Sequence, residues 1–152
     1  MGDLEFSMTL KSPISELMNT FLDFEKWPRF LPRQLKSVKI LERTENGTTT
    51  EEILVFKTIV KNEIIQNTIH KKISENSIQS QVISGPAKGT QSTVLFQDTD
   101  SGTKVSVNVE LKLSLKAKIL SPIIKKVYKI FLRGILLKID FSILDKEENK
   151  TV

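Results

Sequence analysis

The chain has 152 residues, of which 39% are hydrophobic and 27% charged, proportions that suit one globular domain with a substantial core. It has no cysteine and a single histidine, His70, which excludes disulfides, cysteine-ligated metal centres and histidine-rich metal sites. The net charge of +5 permits an anionic partner but does not demand one.

The N-terminal part of the chain predicts one strand and two short helices. Every second residue of Leu4–Leu10 is apolar, which indicates a strand with one dry face. Ser12-Pro13 is typical of a helix start, and Pro28 and Pro32 restrict a second helix to a short, broken one. No signal peptide or membrane span is visible in the pattern, so we expect a cytoplasmic protein.

The middle of the chain predicts a run of antiparallel strands. Asn46-Gly47 is typical of a hairpin turn, and similar turn signals follow each later apolar run. The predicted strands are Val38–Arg43, Glu51–Lys61, Ile64–Ser74, Ile78–Ser84 and Gln91–Gln97. Their regular spacing favours a meander.

The last third predicts a final strand and one long helix. Apolar residues occupy every second position of Val105–Leu115. Ser121-Pro122 is a helix start, and the helical pattern then continues from Ile123 to about Leu144. We therefore predict one α+β domain over residues 1–145 and a frayed polar tail over residues 146–152.

Four segments resemble the START-like helix-grip superfamily, including its polyketide cyclase/dehydrase and coenzyme-Q-binding branches. They are Leu10–Leu17, Phe24–Pro32, Gly85–Gly89 and Ser101–Val105. The resemblance implies a helix-grip fold: a curved antiparallel sheet of about six to seven strands wrapped around a long C-terminal helix, with two short helices after the first strand. It also implies a pocket between sheet and helix for lipids, sterols, quinones, polyketides or plant hormones. The superfamily shares no catalytic residue set, so none is carried over.

Two residues of the predicted C-terminal helix are unusual for a face that meets a sheet. At about 100° per residue, one arc is polar (Lys125, Lys126, Lys129, Arg133 and Asp140) and the opposite arc is apolar (Ile123, Val127, Ile130, Phe131, Gly134 and Phe141). Gly134 would either clear room for a ligand or let a strand approach closely. Lys138, which also points toward the sheet, would either offer a cation to a ligand or extend into solvent.

The predicted strand around His70 has two faces of different character. Ile65, Ile69 and Ile73 share one face, which we expect to be dry. His70 would then lie outside the core or at a wet cavity wall, where it could contact a ligand or transfer a proton.

Aromatic residues around the broken second helix are candidates for a pocket lid. Trp27, Phe30 and Leu31 would either cover the pocket or belong to the core. The predicted ligand-binding set is Trp27, Phe30, Leu31, Phe56, His70, Val127, Phe131, Gly134 and Lys138.

A basic surface is predicted where the last strand meets the helix, from Lys112, Lys116, Lys118, Lys125, Lys126 and Lys129. It could contact anionic lipid headgroups or ribosomal RNA, or it could simply keep the protein in solution. Only Tyr128 interleaves with these lysines, which weakens the case for nucleic acid.

We therefore predict a protein that binds a hydrophobic or amphipathic small molecule, such as a lipid, quinone or polyketide-like compound, as a carrier or sensor. No cofactor and no metal are predicted. Two alternatives stay open. One is a cyclase- or dehydratase-type enzyme that uses His70 or Lys138, and the other is an interaction protein whose basic surface docks on an anionic membrane or a ribosome.

Overall fold

The computed structural model describes residues 3–57 and 61–150, and the side chains of residues 56–57, 61–62 and 148–150 lie outside that description. Residues 58–60, at the end of the predicted strand Glu51–Lys61, lie outside it as well. The strands are β1 (Leu4–Leu10), β2 (Leu35–Thr44), β3 (Gly47–Lys57), β4 (Lys61–Ser74), β5 (Ser77–Val82), β6 (Gln91–Thr99) and β7 (Gly102–Glu110). The helices are α1 (Ile14–Phe21), a 3₁₀ turn (Phe24–Lys26), α2 (Trp27–Phe30), α3 (Leu115–Lys118) and α4 (Ser121–Lys150).

One antiparallel sheet contains these strands in the order β1-β7-β6-β5-β4-β3-β2. Sequence neighbours pair with each other, and β1 closes the series by pairing with β7 from Leu4 opposite Val109 to Leu10 opposite Thr103. Because side chains alternate between faces, this register gathers the apolar residues of both strands on the face that α4 covers. The predicted architecture is confirmed, with two short helices after the first strand and a long C-terminal helix on the sheet.

Strand β7 is shorter than predicted, since it ends at Glu110 and not at Leu115. The Thr90 hydroxyl holds the following residues away from the sheet by donating to the Lys112 carbonyl and accepting from the Lys112 amide, both at 3.0 Å. The Ser114 amide donates to the Pro86 carbonyl at 3.0 Å. Hydrogen bonds to the β5–β6 loop therefore replace the strand pairing that the alternating pattern suggested.

Helix α4 presents a different face to the sheet from the predicted one. Its buried apolar residues are Leu132, Ile135, Leu136, Ile139 and Ile143. Ile123, Ile130 and Phe141, which were predicted inside, expose 50%, 54% and 70% of their surface. Asp140, which was predicted on the solvent arc, is buried. Apolar residues occur on several sides of this helix, so the helical pattern alone did not identify the stripe that the sheet covers.

The buried Asp140 carboxylate joins α4 to the turn between β1 and α1. It accepts hydrogen bonds from the amides of Ser12 at 2.9 Å and Lys11 at 3.2 Å. On the other side of the same turn, the Thr103 hydroxyl of β7 donates to the Ser12 carbonyl at 2.7 Å. The turn is thus bonded to helix and sheet together, which fixes the C-terminal half of α4 against the core.

Helix α4 also extends further than predicted. It continues to Lys150, so the described part of the tail over residues 146–152 is helical and not frayed. The domain boundary at residue 145 stays a prediction. Within the described residues, none of the helices has the length and apolar character needed to cross a membrane.

Candidate functional site

A cavity of about 490 Å³ lies between the β3–β4 part of the sheet and the N-terminal half of α4. Most of its lining is apolar: Leu54, Val55, Ile64, Pro86, Ala87, Leu113, Ala117, Leu120, Ile123, Ile124, Val127 and Ile130. Four polar side chains also line it, namely Arg33, Gln34, Gln66 and Tyr128. A mostly apolar space of this size with a few polar groups has the character of a small-molecule site.

The lining residues Arg33, Pro86, Leu120, Ile123 and Ile130 are exposed, so we take the mouth of the cavity to lie on their side. The three large apolar residues among them, Leu120, Ile123 and Ile130, expose 47%, 50% and 54% of their surface. Beside the mouth, Leu115 of α3 and Ile119 expose 83% each. Apolar groups therefore surround the entrance as well as the interior.

A smaller space of about 60 Å³, the recess, adjoins the cavity. Both spaces share the lining residues Gln34, Leu54, Val55, Gln66, Val127 and Tyr128. Trp27, Glu52 and Phe131 line the recess but not the larger cavity. Because Trp27 and Glu52 are buried, the recess forms the deep end of the site.

Trp27 is held rigidly in the recess wall. Its indole N–H donates to the Phe21 carbonyl at 2.8 Å. Its ring lies 5.0 Å from the Phe21 ring, 5.5 Å from the Phe24 ring and 6.3 Å from the Phe131 ring, as measured between centroids. Edge-on and tilted aromatic contacts of this kind favour one ring orientation. Trp27 is therefore part of the recess wall, and its role as a lid stays a prediction.

The Glu52 carboxylate is held by hydroxyl groups on the inner face of the sheet. Thr50 donates to one carboxylate oxygen at 3.0 Å and Thr68 donates to the other at 3.1 Å. His70 Nε2 lies 2.9 Å from Thr50 Oγ1, and His70 Nδ1 lies 2.7 Å from Ser80 Oγ. If Thr50 gives its single proton to Glu52, Nε2 carries a hydrogen and donates it to Thr50. The groups form a continuous chain from Ser80 through His70 and Thr50 to Glu52.

The prediction that His70 lies on a wet or outer face is wrong. His70 is 5% exposed, whereas Ile65 and Ile73 of the supposed dry face expose 60% and 46%. The His70 ring stacks on Phe24 with centroids 4.0 Å apart, and Nε2 lies 3.7 Å from a Glu52 oxygen. His70 is absent from the described lining of both the cavity and the recess, and its hydrogen bonds connect it to Glu52 through Thr50. A catalytic role would thus have to act through Glu52.

Tyr128 brings a buried hydroxyl to the wall that the cavity and recess share. That oxygen has no hydrogen bond of regular geometry within the described residues, although the Gln66 side chain lies beside it. Burial and, second, the nearby Glu52 carboxylate raise the pKa of Tyr128 to about 12, and Gln66 partly offsets this shift. The phenol is therefore neutral at physiological pH and can donate a hydrogen bond.

The remaining predicted ligand-binding residues fall into several groups. Val127 and Phe131 lie in the recess lining. Gly134 faces Leu31: a Cβ there would lie 3.2 Å from Leu31 Cδ2, so the glycine allows close packing against that side chain. Lys138 is exposed, contrary to the prediction that it points at the sheet. Leu31 and Phe30 pack with the core, and the Phe56 side chain lies outside the described residues.

The predicted basic surface lies next to the cavity mouth. Lys112, Lys116, Lys118, Lys126 and Lys129 are exposed, and Lys125 is half-buried. The lysines on α3 and the start of α4 alternate with the exposed apolar residues around the entrance. No group of three or more histidine, aspartate or glutamate side chains converges on a possible metal position in the part of the chain that the structure describes.

Sequence reasoning missed Glu52 and Tyr128. Adjacent Glu51 and Glu52 could not form a carboxylate pair because they point to opposite faces, but the same alternation places Glu52 alone on the inner face. The available signal was the cross-strand register, in which Glu52 lies opposite Gln66 and Thr50 opposite Thr68. Only the pairing of β3 with β4 reveals that these polar residues form one cluster.

Several solved structures have a fold similar to nearly the whole of this chain. The protein TTHA0849 from Thermus thermophilus matches with a TM-score of 0.76 and 15% identity over 94% of this chain and 97% of that one. A START superfamily protein from Mycobacterium smegmatis gives 0.67 and 17% over 93% and 97%. The di-domain ARO/CYC StfQ of the steffimycin biosynthetic pathway gives 0.77 and 15% over 98% of this chain and 51% of its own length. At such identities these likenesses establish the fold alone.

Sequence comparison identifies the family. A comparison with curated protein sequences found no match. The model of the family described as polyketide cyclase / dehydrase and lipid transport matches residues 10–136, a span that runs from the end of β1 through the whole cavity-lining half of α4. The chain therefore belongs to the polyketide cyclase/dehydrase and lipid transport family.

Proposed function

We propose that this protein binds a hydrophobic or amphipathic small molecule, such as a lipid, quinone or polyketide-like compound, and acts as its carrier or sensor. The observation that supports this most is the apolar cavity of about 490 Å³ between sheet and helix. Each Å² of apolar ligand surface removed from water would contribute about 25 cal/mol. The family's general association with hydrophobic ligands agrees with that lining.

The first experiment identifies what the protein carries. Protein purified from its own source is measured by native mass spectrometry and then extracted with organic solvent. We expect a stoichiometric apolar or amphipathic compound. An unliganded mass, together with no thermal stabilisation by a panel of lipids and quinones, would contradict the proposal.

A pair of variants on α4 makes this experiment specific to the cavity. Val127→Phe adds volume at a residue that lines both cavity and recess. Leu137→Phe makes a similar change at a residue that is 46% exposed and outside the lining. We expect Val127→Phe to lose the extracted compound and Leu137→Phe to keep it, since only the first fills space that the ligand needs.

The mouth of the cavity favours a second proposal: this surface docks on an anionic membrane. Leu115 and Ile119 expose 83% each, which is unusual for large apolar side chains in a folded protein. Lys116 directly follows Leu115, Lys118 directly precedes Ile119, and Lys126 lies on α4. Apolar groups that insert and lysines that meet lipid phosphates are the two components of interfacial binding. A carrier that docks at its own entrance could exchange ligand with the bilayer.

Vesicle sedimentation tests this docking. Vesicles rich in phosphatidylserine should bind the protein, and pure phosphatidylcholine vesicles should not. Reversing the charge of Lys125, Lys126 and Lys129 should weaken binding by at least about tenfold, because each lysine near an anionic surface contributes about 1 kcal/mol. Leu115→Ser with Ile119→Ser should weaken it without changing the net charge. Binding to ribosomal RNA in place of vesicles would refute the membrane proposal.

A further inference from the structure

The recess has a polar end whose hydrogen-bonding capacity is only partly used. The Glu52 carboxylate accepts from Thr50 and Thr68, but an ionised carboxylate offers about four acceptor positions. Its side chain is 7% exposed and borders the recess. Acceptor positions therefore remain for a group that enters from the cavity.

The position of that carboxylate is fixed from behind. Thr50 lies between Glu52 and His70, and Ser80 anchors the far side of the imidazole ring. The Phe24 ring covers His70 at a centroid distance of 4.0 Å. Since each member of the chain has its partners in place, Glu52 cannot turn away from the recess without breaking two hydrogen bonds.

Tyr128 supplies the complementary group on the opposite side. Its buried hydroxyl lacks a regular hydrogen-bond partner within the described residues and lines the same recess. A buried donor without a partner costs free energy that a ligand acceptor would recover. The recess thus offers an acceptor, Glu52, and a donor, Tyr128, beside the side-chain amides of Gln34 and Gln66, within a space of about 60 Å³.

We infer that the recess binds an uncharged hydroxyl group, an alcohol or phenol, at the buried end of an otherwise apolar ligand. The hydroxyl donates to Glu52 and accepts from Tyr128. This inference rests on the proposed function, because it assigns the polar end of the molecule that fills the cavity. A hydroxyl is suited to the site because it is donor and acceptor at once.

Charged head groups fit the same walls less well. A carboxylate would approach Glu52 with like charge, and the described lining of the recess contains no lysine or arginine; Arg33 lines only the larger cavity. An ammonium group would meet Glu52 but has no lone pair for Tyr128, so that hydroxyl would gain no acceptor from the ligand. The site therefore discriminates by hydrogen-bond complementarity and by charge.

The test compares decanol, decanoate and decylamine, which share one alkyl chain and carry no charge, a negative charge and a positive charge at neutral pH. Trp27, the single tryptophan of the chain, lines the recess and reports on its occupancy through its emission. We expect decanol to bind at least about tenfold more tightly than either charged probe, the size expected for one unmet hydrogen bond to a buried group.

Two variants make the result specific. Glu52→Gln should reduce the preference for decanol over decanoate to less than about threefold, because the repelling charge is gone. Glu51→Gln, the same change on the neighbouring residue that points to the other face of β3, should leave the preference unchanged. If Glu52→Gln fails to fold, Tyr128→Phe serves in its place and should weaken decanol more than decylamine.

The outcomes separate this inference from the proposed function. Tighter binding of decanoate or of decylamine would overturn the hydroxyl assignment while leaving an apolar ligand site in place. No change in Trp27 emission and no thermal stabilisation with any of the three probes would overturn both.

Discussion

Removing the Asp140 carboxylate should destabilise the fold far more than removing the charge of the exposed Asp145 on the same helix. Asp140 accepts from the Ser12 amide at 2.9 Å and from the Lys11 amide at 3.2 Å, and it is 8% exposed. A hydrogen bond to a charged group contributes about 1.5 to 3 kcal/mol. The Ser12 hydrogen bond is short and buried. Lys11 is exposed and its amide can bond to water instead, so the Lys11 hydrogen bond contributes less to the free energy of unfolding.

Asp140→Ala should therefore lower the free energy of unfolding by about 3 to 4 kcal/mol, with a buried amide left unpaired. Asp140→Asn keeps one acceptor oxygen and should lower it by about 1 to 2 kcal/mol. For a domain of this size, each kcal/mol corresponds to a fall of about 2 to 4 °C in Tm. Urea unfolding followed by circular dichroism at neutral pH measures both changes.

The matched control is Asp145→Asn, an exposed carboxylate on the same helix. It should change the unfolding free energy by less than about 0.5 kcal/mol. If Asp140→Ala costs no more than the control, the link between helix α4 and the β1–α1 turn does not stabilise the fold as argued.

Two further predictions concern glycine geometry and the buried phenol. Gly102→Ala should lower the free energy of unfolding by more than about 2 kcal/mol, because φ is +145° there and a Cβ would overlap the Leu10 carbonyl oxygen. In the same urea titration, Gly134→Ala should stay within about 1 kcal/mol of wild type, since its better helix propensity offsets the contact with a movable Leu31 side chain. The pKa of Tyr128 is raised to about 12, against 10.0 for a free phenol. Its contribution to stability should therefore be constant below pH 10 and fall by about 2 to 3 kcal/mol as the pH rises to 12, because the unfolded chain releases the proton first. Tyr128→Phe should lack this part of the alkaline loss, and equal losses in both proteins would refute the assignment.

The order of elements could be predicted from the sequence because each element carries a local signal. Alternation defined β1 and most of β7, and Ser-Pro pairs marked the beginnings of α1 and α4. These signals depend on residues close in sequence, which is why the order of strands and helices was accessible without coordinates. The helix-grip architecture was expected from the resemblance of four segments to the START-like superfamily.

Face assignments could not be predicted with the same success. Strand β4 has isoleucines on one face and Gln66, Thr68 and His70 on the other, and hydropathy alone favoured burial of the isoleucines. The polar face is the buried one, because its side chains form hydrogen bonds with those of the neighbouring strand β3. Thr68 of β4 and Thr50 of β3 both donate to the Glu52 carboxylate. A buried polar cluster of this kind becomes visible only when the strand register brings its members together.

The same reasoning explains why one long helix serves two purposes. In its C-terminal half, Ile135, Leu136 and Ile139 are fully buried and Asp140 bonds the helix to the β1–α1 turn. In its N-terminal half, the residues that face the sheet line a cavity, and the helix gains little packing there. A ligand that filled the cavity as proposed would supply apolar contacts to this half, so its binding and the docking of α4 would be coupled. The attachment at Asp140 would then hold the C-terminal half of the helix while the N-terminal half forms a wall that the ligand completes.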